Sequence, residues 1–123
     1  MFDVIIYEDA HGRSELGEFL DALVKKAPKN KDARIQLKQI TLCIELLKNQ
    51  GTRLPQNIAK HLQDELWELR PGDNRVLYFY WDHHTFVLLH HFRKRSQKTP
   101  TAEIEKAMRE IDDYKSRNGG YGK

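Results

Sequence analysis

One cysteine, Cys43, stands in 123 residues. A lone thiol closes no internal disulfide, so the chain is held by packing and fits a reducing compartment. No apolar run approaches the ~20 residues that span a bilayer. The opening MFDVIIYEDA has neither a basic start nor a long apolar stretch, so no secretory leader is expected and the cytoplasm is the expected location. Charge of one sign is also lacking. The net charge is +3; the first sixty residues carry 10 Lys and Arg against 8 Asp and Glu, and the remainder 11 against 10. Bulk charge therefore says little about partners, and any asymmetry must be local.

Motifs for several chemistries are missing as well. There is no Gly-rich phosphate loop. Ser96 lies among cations with no nucleophile elbow around it. No Cys and His set has zinc-finger spacing. His83 and His84 adjoin each other in a turn-like DHH, and His11 and His61 are isolated, so these four read as surface residues. No metal and no other cofactor is expected. Asp64, Glu65 and Glu68 read as a solvated strand face, although Glu68 could pair with a neighbouring base.

With 39% hydrophobic and 32% charged residues, the chain reads as one globular domain over residues 1–118, with a frayed tail at 119–123. Phe2 to Tyr7, FDVIIY, is short and β-branched, which predicts a strand. Ser14 is placed to cap a helix whose Leu16, Phe19, Leu20, Leu23 and Val24 form one apolar stripe. Pro28 ends it. Asn30 opens a second helix faced by Leu37, Ile40, Ile44 and Leu47, with Gly51 as its stop. The short APKN joint makes the two an antiparallel hairpin. An outer apolar patch of Ile35, Leu42 and Leu46 would be a docking surface, but a broader core stripe is the simpler reading.

Residues 51–60 read as a loop. ELWELR, RVLYFYW and TFVLLHHF then predict three antiparallel strands separated by PGDN and DHH. In the last of these, alternation puts His90 and His91 on opposite faces, one in the core and one looking out. A final helix starts at Thr99 and Pro100, with Ile104, Ala107, Met108 and Ile111 on its apolar face. The expected class is α+β, in the order β-α-α-β-β-β-α. The sheet is expected to be antiparallel, with the helical hairpin on one face and the other face partly open.

One feature stands out chemically. HFRKRSQKTP, directly after an apolar strand, holds Arg93, Lys94, Arg95 and Lys98 and no acid. Arg70 ends the first strand of the meander and Arg75 opens the second, so strand topology carries these cations to one edge of the sheet. Crowded cations ask for a polyanion, and RNA or DNA phosphate is the natural match. Tyr78, Tyr80, Trp81 and Phe92 could stack on bases. RNA brings its own nucleophile, the 2′-hydroxyl, so cations that hold the phosphate and one desolvated lysine as general base would suffice without metal. A merely solvated rim is the bland alternative.

The run LQDELWELRPGDNRVLYFYWDHHTFVLLHHFRKRSQKTPTAEIEKAMRE resembles the RelE superfamily, in particular its phage-related branch of HigB-type toxins. The resemblance covers the C-terminal half closely and implies a RelE-like fold. It implies the toxin of a type II toxin–antitoxin pair: an endoribonuclease that cleaves mRNA on the ribosome without metal. Its implied partners are the ribosome, mRNA and a HigA-type helix-turn-helix antitoxin, in a heterotetramer with an antitoxin dimer; operator DNA is reached only through the antitoxin. By position, Arg75 matches the strand arginine at the scissile phosphate, and Lys94 and Arg95 match the basic pair at the strand end. Lys98 precedes Thr-Pro and grips RNA; Arg70 and Arg93 add phosphate contacts, and Phe92 adjoins them. Arg95 stands where a second lysine is usual, which leaves Lys94 as the preferred base. His91 stands in for a Tyr or His of some relatives. The rival within the superfamily is a binding module, either a gyrase-targeting toxin or a non-catalytic RNA binder.

Overall fold

The computed structural model describes residues 1–82 and 84–119. His83, of the adjacent turn histidines, and residues 120–123, most of the expected tail, lie outside them. The order is β1 (Asp3–Ile6), α1 (Glu15–Lys26), α2 (Lys31–Gln50), a 3₁₀ turn (Gly51–Arg53), β2 (Ala59–Gln63), β3 (Leu66–Leu69), β4 (Asn74–Tyr80), β5 (Thr85–Arg93) and α3 (Thr101–Arg117). Three helices and a five-stranded sheet make this an α+β fold.

The helix punctuation follows the side chains. Ser14 Oγ accepts from the Gly17 N–H at 2.9 Å, and Asn30 Oδ1 from the Ala33 N–H at 2.9 Å, each satisfying a donor with no partner inside its helix. Gly51 ends α2 at φ +58°. On the outer side of α2, Ile35 and Leu42 are exposed and Leu46 is half-buried, so they do not extend the core stripe.

The sheet departs from expectation in two ways. Its order is β1-β5-β4-β3-β2, and β1 runs parallel to β5, so the sheet is mixed and not wholly antiparallel. In addition, β2 occupies residues assigned in part to a loop. AKHLQ buries only Ala59 fully, as an edge strand with polar side chains does, and such a stretch has no apolar period to betray it.

Both faces of the sheet are covered, where one was expected to be partly open, because α3 packs on the face opposite the hairpin. The α1–α2 hairpin packs on Val76, Tyr78, Phe86 and Leu88, and α3 packs Ala107, Ile111 and Tyr114 against Leu66, Leu77, Phe79, Val87 and Leu89. Truncating any of these large apolar side chains to Ala costs about 2–5 kcal/mol. One bulge matters for the site. Val76 pairs with His91 and Tyr78 with Leu88, so Leu89 and His90 together oppose Leu77. Leu89 and His90 both turn toward α3, and His91 turns toward α1. Neither histidine looks outward.

Candidate nucleic-acid interface

The ends of three strands meet where the topology requires. Leu69 pairs with Val76, Asn74 with Arg93 and Arg75 with Phe92. The ladder continues beyond β5, where the Lys94 N–H donates to Asp73 O at 2.9 Å. Gly72, in the β3–β4 turn, holds φ +61°, the left-handed conformation that favours glycine, and a Cβ there would also push the end of the Gln39 side chain aside.

Strand alternation then sorts the cations onto two faces. On the α3 side, Glu68 is 1% exposed. Arg70 Nε donates to its Oε1 at 3.2 Å, and Arg75 Nε lies 3.7 Å from the same oxygen. The Thr99 hydroxyl donates to Oε2. A carboxylate this buried persists only with such partners. Thr99 therefore does not cap α3; Pro100 precedes that helix with no side-chain cap bond, and the Thr99 hydroxyl serves Glu68 instead.

Arg75 is held from a second direction, because its Nη1 donates to Gly72 O at 2.8 Å and Asn74 O at 2.9 Å. Burial pulls its guanidinium below the ordinary arginine value; Glu68 opposes that shift and Arg70 adds to it. Phe92 lies opposite Arg75, and the half-buried Lys94, two residues on, continues the same side. Exposed Lys98 adjoins Thr99. β2 adds a cation from a stretch whose polar sequence predicts a loop: Lys60 pairs with Glu68 across the ladder, so its side chain shares that face. Among the described residues, Lys60, Lys94 and Lys98 form no ion pair with a carboxylate.

The other expected residues lie elsewhere. Arg93 turns to the α1–α2 side and meets Asp73 at 3.9 Å, both exposed. His91 stacks on Phe19 with ring centroids 3.8 Å apart and 14° between planes. Burial, then the neighbouring His90, holds His91 below the ordinary histidine value. Arg95 is exposed beyond β5. Of the eight site residues expected from sequence, Arg70, Arg75, Phe92 and Lys94 share the α3 side, with Lys98 beside them. Arg93 and His91 are on the opposite face, because neighbouring strand residues point to opposite sides.

The expected stacking surface is corrected too. Tyr78 is in the core, Tyr80 packs on Phe86 with centroids 4.8 Å apart, and Trp81 sits edge-on to Tyr114 at 5.2 Å. Glu68 and Thr99 are the residues the sequence reading undervalued. Their signal was present in the alternation of LWELR, which puts Glu68 on the face of Leu66 and Arg70, but nothing local says that this face is covered by α3.

The arrangement anchors two guanidinia on one buried acid and sets three further cations around them. Fixed, incompletely neutralised guanidinia beside lysines without carboxylate partners among the described residues suit a phosphodiester. Among the described residues no group of His, Cys, Asp and Glu converges as a metal set, and no helix is long and apolar enough to cross a membrane.

Residues 18–112 match the family model described as phage-derived protein Gp49-like (DUF891), a stretch from within α1 to within α3. No curated protein gives a significant match. Among solved structures, the chain is similar to one in the archaeal RelE–RelB complex from Pyrococcus horikoshii OT3, with TM-score 0.54 and 18% identity, covering 79% of this chain and 98% of that one. It also matches a chain of the YoeB–YefM complex from Staphylococcus aureus at TM-score 0.48 and 10% identity, covering 78% and 99%. The first likeness is one of fold.

Proposed function

The chain belongs to the Gp49-like family of phage-derived proteins, and from that premise we propose that it is the toxin of a type II toxin–antitoxin pair, an endoribonuclease acting on mRNA in the ribosome. The observation that carries this reading is the pair Arg70 and Arg75 fixed on buried Glu68, with Lys60, Lys94 and Lys98 on the same side. The RelE-like fold and the complex in which that neighbour was solved support the reading.

The reaction needs only what this edge holds. The 2′-oxygen of one nucleotide attacks the adjacent phosphorus, and the 5′-oxygen of the next nucleotide leaves. The ends are a 2′,3′-cyclic phosphate and a 5′-hydroxyl. Arg75 and Arg70 bind the non-bridging oxygens, whose charge grows in the transition state. Lys94 takes the 2′-hydroxyl proton, and a proton returns to the leaving oxygen from the same site or from water. The site sits in the cytoplasm, on the ribosome. Its antitoxin is a HigA-type helix-turn-helix protein acting as a dimer, for which the exposed Ile35 and Leu42 of α2 offer an apolar contact.

The test is cleavage of mRNA on programmed ribosomes, read by primer extension. Arg75→Ala lowers the cleavage rate by about 10²–10³-fold, the range for losing one preorganised charge-stabilising donor. Lys94→Ala also relieves growth arrest, and both variants stay folded. A double variant that still stops translation by cutting mRNA defeats the site assignment. DNA damage without mRNA breaks would point to the gyrase-targeting alternative.

A further inference from the structure

The groove between β2 and the segment entering α3 takes no part in the phosphoryl transfer above, although Lys60 and Lys98 of the cation set line it. Lys60 and Leu62 line one wall, Gln97, Lys98 and Thr99 the other, and Ile104 helps close it; its volume is about 360 Å³. That is within the range of small-ligand sites. Thr99 forms both a wall of this groove and the hydrogen bond to Glu68, so the groove opens directly beside the arginine pair.

We propose that this groove seats one nucleotide of single-stranded RNA, the neighbour of the nucleotide whose phosphate Arg70 and Arg75 hold. The proposal rests on the reading of the protein as an RNA-cleaving toxin and adds a recognition site to it. Lys60 and Lys98 stand on opposite walls without carboxylate partners among the described residues, which is the arrangement for following a sugar–phosphate backbone. Leu62 and Ile104, both half-buried and packed on the α3-side core, give a base or ribose an apolar floor. The Gln97 amide carries both donors and an acceptor, as reading a base edge requires. β2 is the last strand of the sheet, so its outer backbone edge is not taken up by another strand. His61 is not part of the scheme, because its Nε2 meets Asp64 O at 2.8 Å and its ring lies 5.1 Å from Trp67.

The experiment uses the full chain and a short RNA carrying a 2′-deoxyribose at the cut site, so that binding is measured without cleavage. Lys60→Ala combined with Gln97→Ala weakens binding about tenfold and reduces the salt slope by about 0.7, the share of one single-strand phosphate. On ribosomes the double variant raises KM, keeps kcat and changes the base preference beside the cut. Both residues are exposed, and equal urea midpoints for variant and parent confirm an intact fold. Unchanged affinity, salt slope and base preference in an enzyme that still cuts mRNA overturn the groove alone. A parent protein that cuts no mRNA, yet binds the RNA in a Lys60-dependent way, overturns the cleavage reading and keeps the groove. Equal competition by polyglutamate, with no dependence on Gln97, overturns the nucleotide in favour of an acidic protein segment.

Discussion

Two buried polar side chains lie on the α3 side of the sheet, and they mirror each other. Glu68 is an acid between two arginines; His90 is a base between two acids. His90 is 1% exposed, with Nδ1 2.5 Å from Glu110 Oε1 and Nε2 2.9 Å from Glu103 Oε1. Each ring nitrogen of His90 thus faces one carboxylate of α3. The partners of His90 stand two turns apart on one helix, and Lys106 between them reaches Glu15 on α1 at 2.7 Å. That cluster ties β5, α3 and α1 together, and each of its carboxylates has a partner within it. The partners of Glu68 sit at strand ends, and beyond them Lys60, Lys94 and Lys98 have no acid to answer them. Burying a polar side chain among its partners is common to both clusters. The unbalanced remainder, at one of them only, is what a ligand can use.

Removing the central side chain tests this contrast most directly. Glu68→Ala leaves two guanidinia facing each other and destabilises the fold by about 3 kcal/mol, the low end for breaking a buried ion pair. It also abolishes mRNA cleavage, because Arg70 loses its anchor and Arg75 keeps only its two carbonyl contacts. His90→Leu strands two partly exposed carboxylates and costs about 2 kcal/mol. Cleavage per folded molecule is unchanged. Urea unfolding and ribosome-dependent cleavage, measured on both variants, separate the two effects. Equal losses of activity would mean that the two clusters are not functionally distinct.

Much of the frame could be read before any coordinates. Ser14, Asn30 and Gly51 are local signals acting on their own backbone, and they punctuate the helices where expected. The strands from Leu66 to Arg93 announce themselves by aromatic and β-branched content. What was not legible depends on contacts remote in sequence. Nothing in DVII says that it will join β5 in parallel, and the polar AKHLQ becomes a strand only because β3 offers it an edge. The same limit applies at the site. Topology gathered the arginines at one end of the sheet, and alternation alone placed Arg70 and Arg75 together. Placing His90 and His91 required the bulge opposite Leu77, for which the sequence has no mark.

A smaller effect sharpens the comparison from the open cluster's side. Thr99→Val keeps the shape and removes the hydroxyl that Glu68 Oε2 receives, a loss of about 1 kcal/mol. Glu68 retains both arginines and Lys94 keeps its backbone bond to Asp73 O, so the core holds, but the segment carrying Lys98 is no longer tied to the arginine pair. Cleavage falls while the urea midpoint moves little. Thr99→Ser, which restores the donor, restores the rate. If the Val and Ser variants cut mRNA equally well, the tie between that segment and the arginine pair has no bearing on catalysis.

The smallest expected effect concerns pH and belongs to His91, on the α1 side of the sheet. His91 is held below the ordinary histidine value first by burial and then by His90, with Lys106 adding to the shift and Glu15 and Glu103 opposing it. The unfolded chain therefore takes up a proton at His91 more readily than the folded one. Between the lowered folded value and about 6.5, the unfolded state binds more protons, so stability rises with pH through that window and is lost as pH falls through it. His91→Phe keeps an aromatic ring against Phe19 and removes the titration. The variant's stability, followed by urea unfolding across this range, is flatter with pH than the parent's. A parent and variant with parallel pH profiles would show that His91 is not the group responsible.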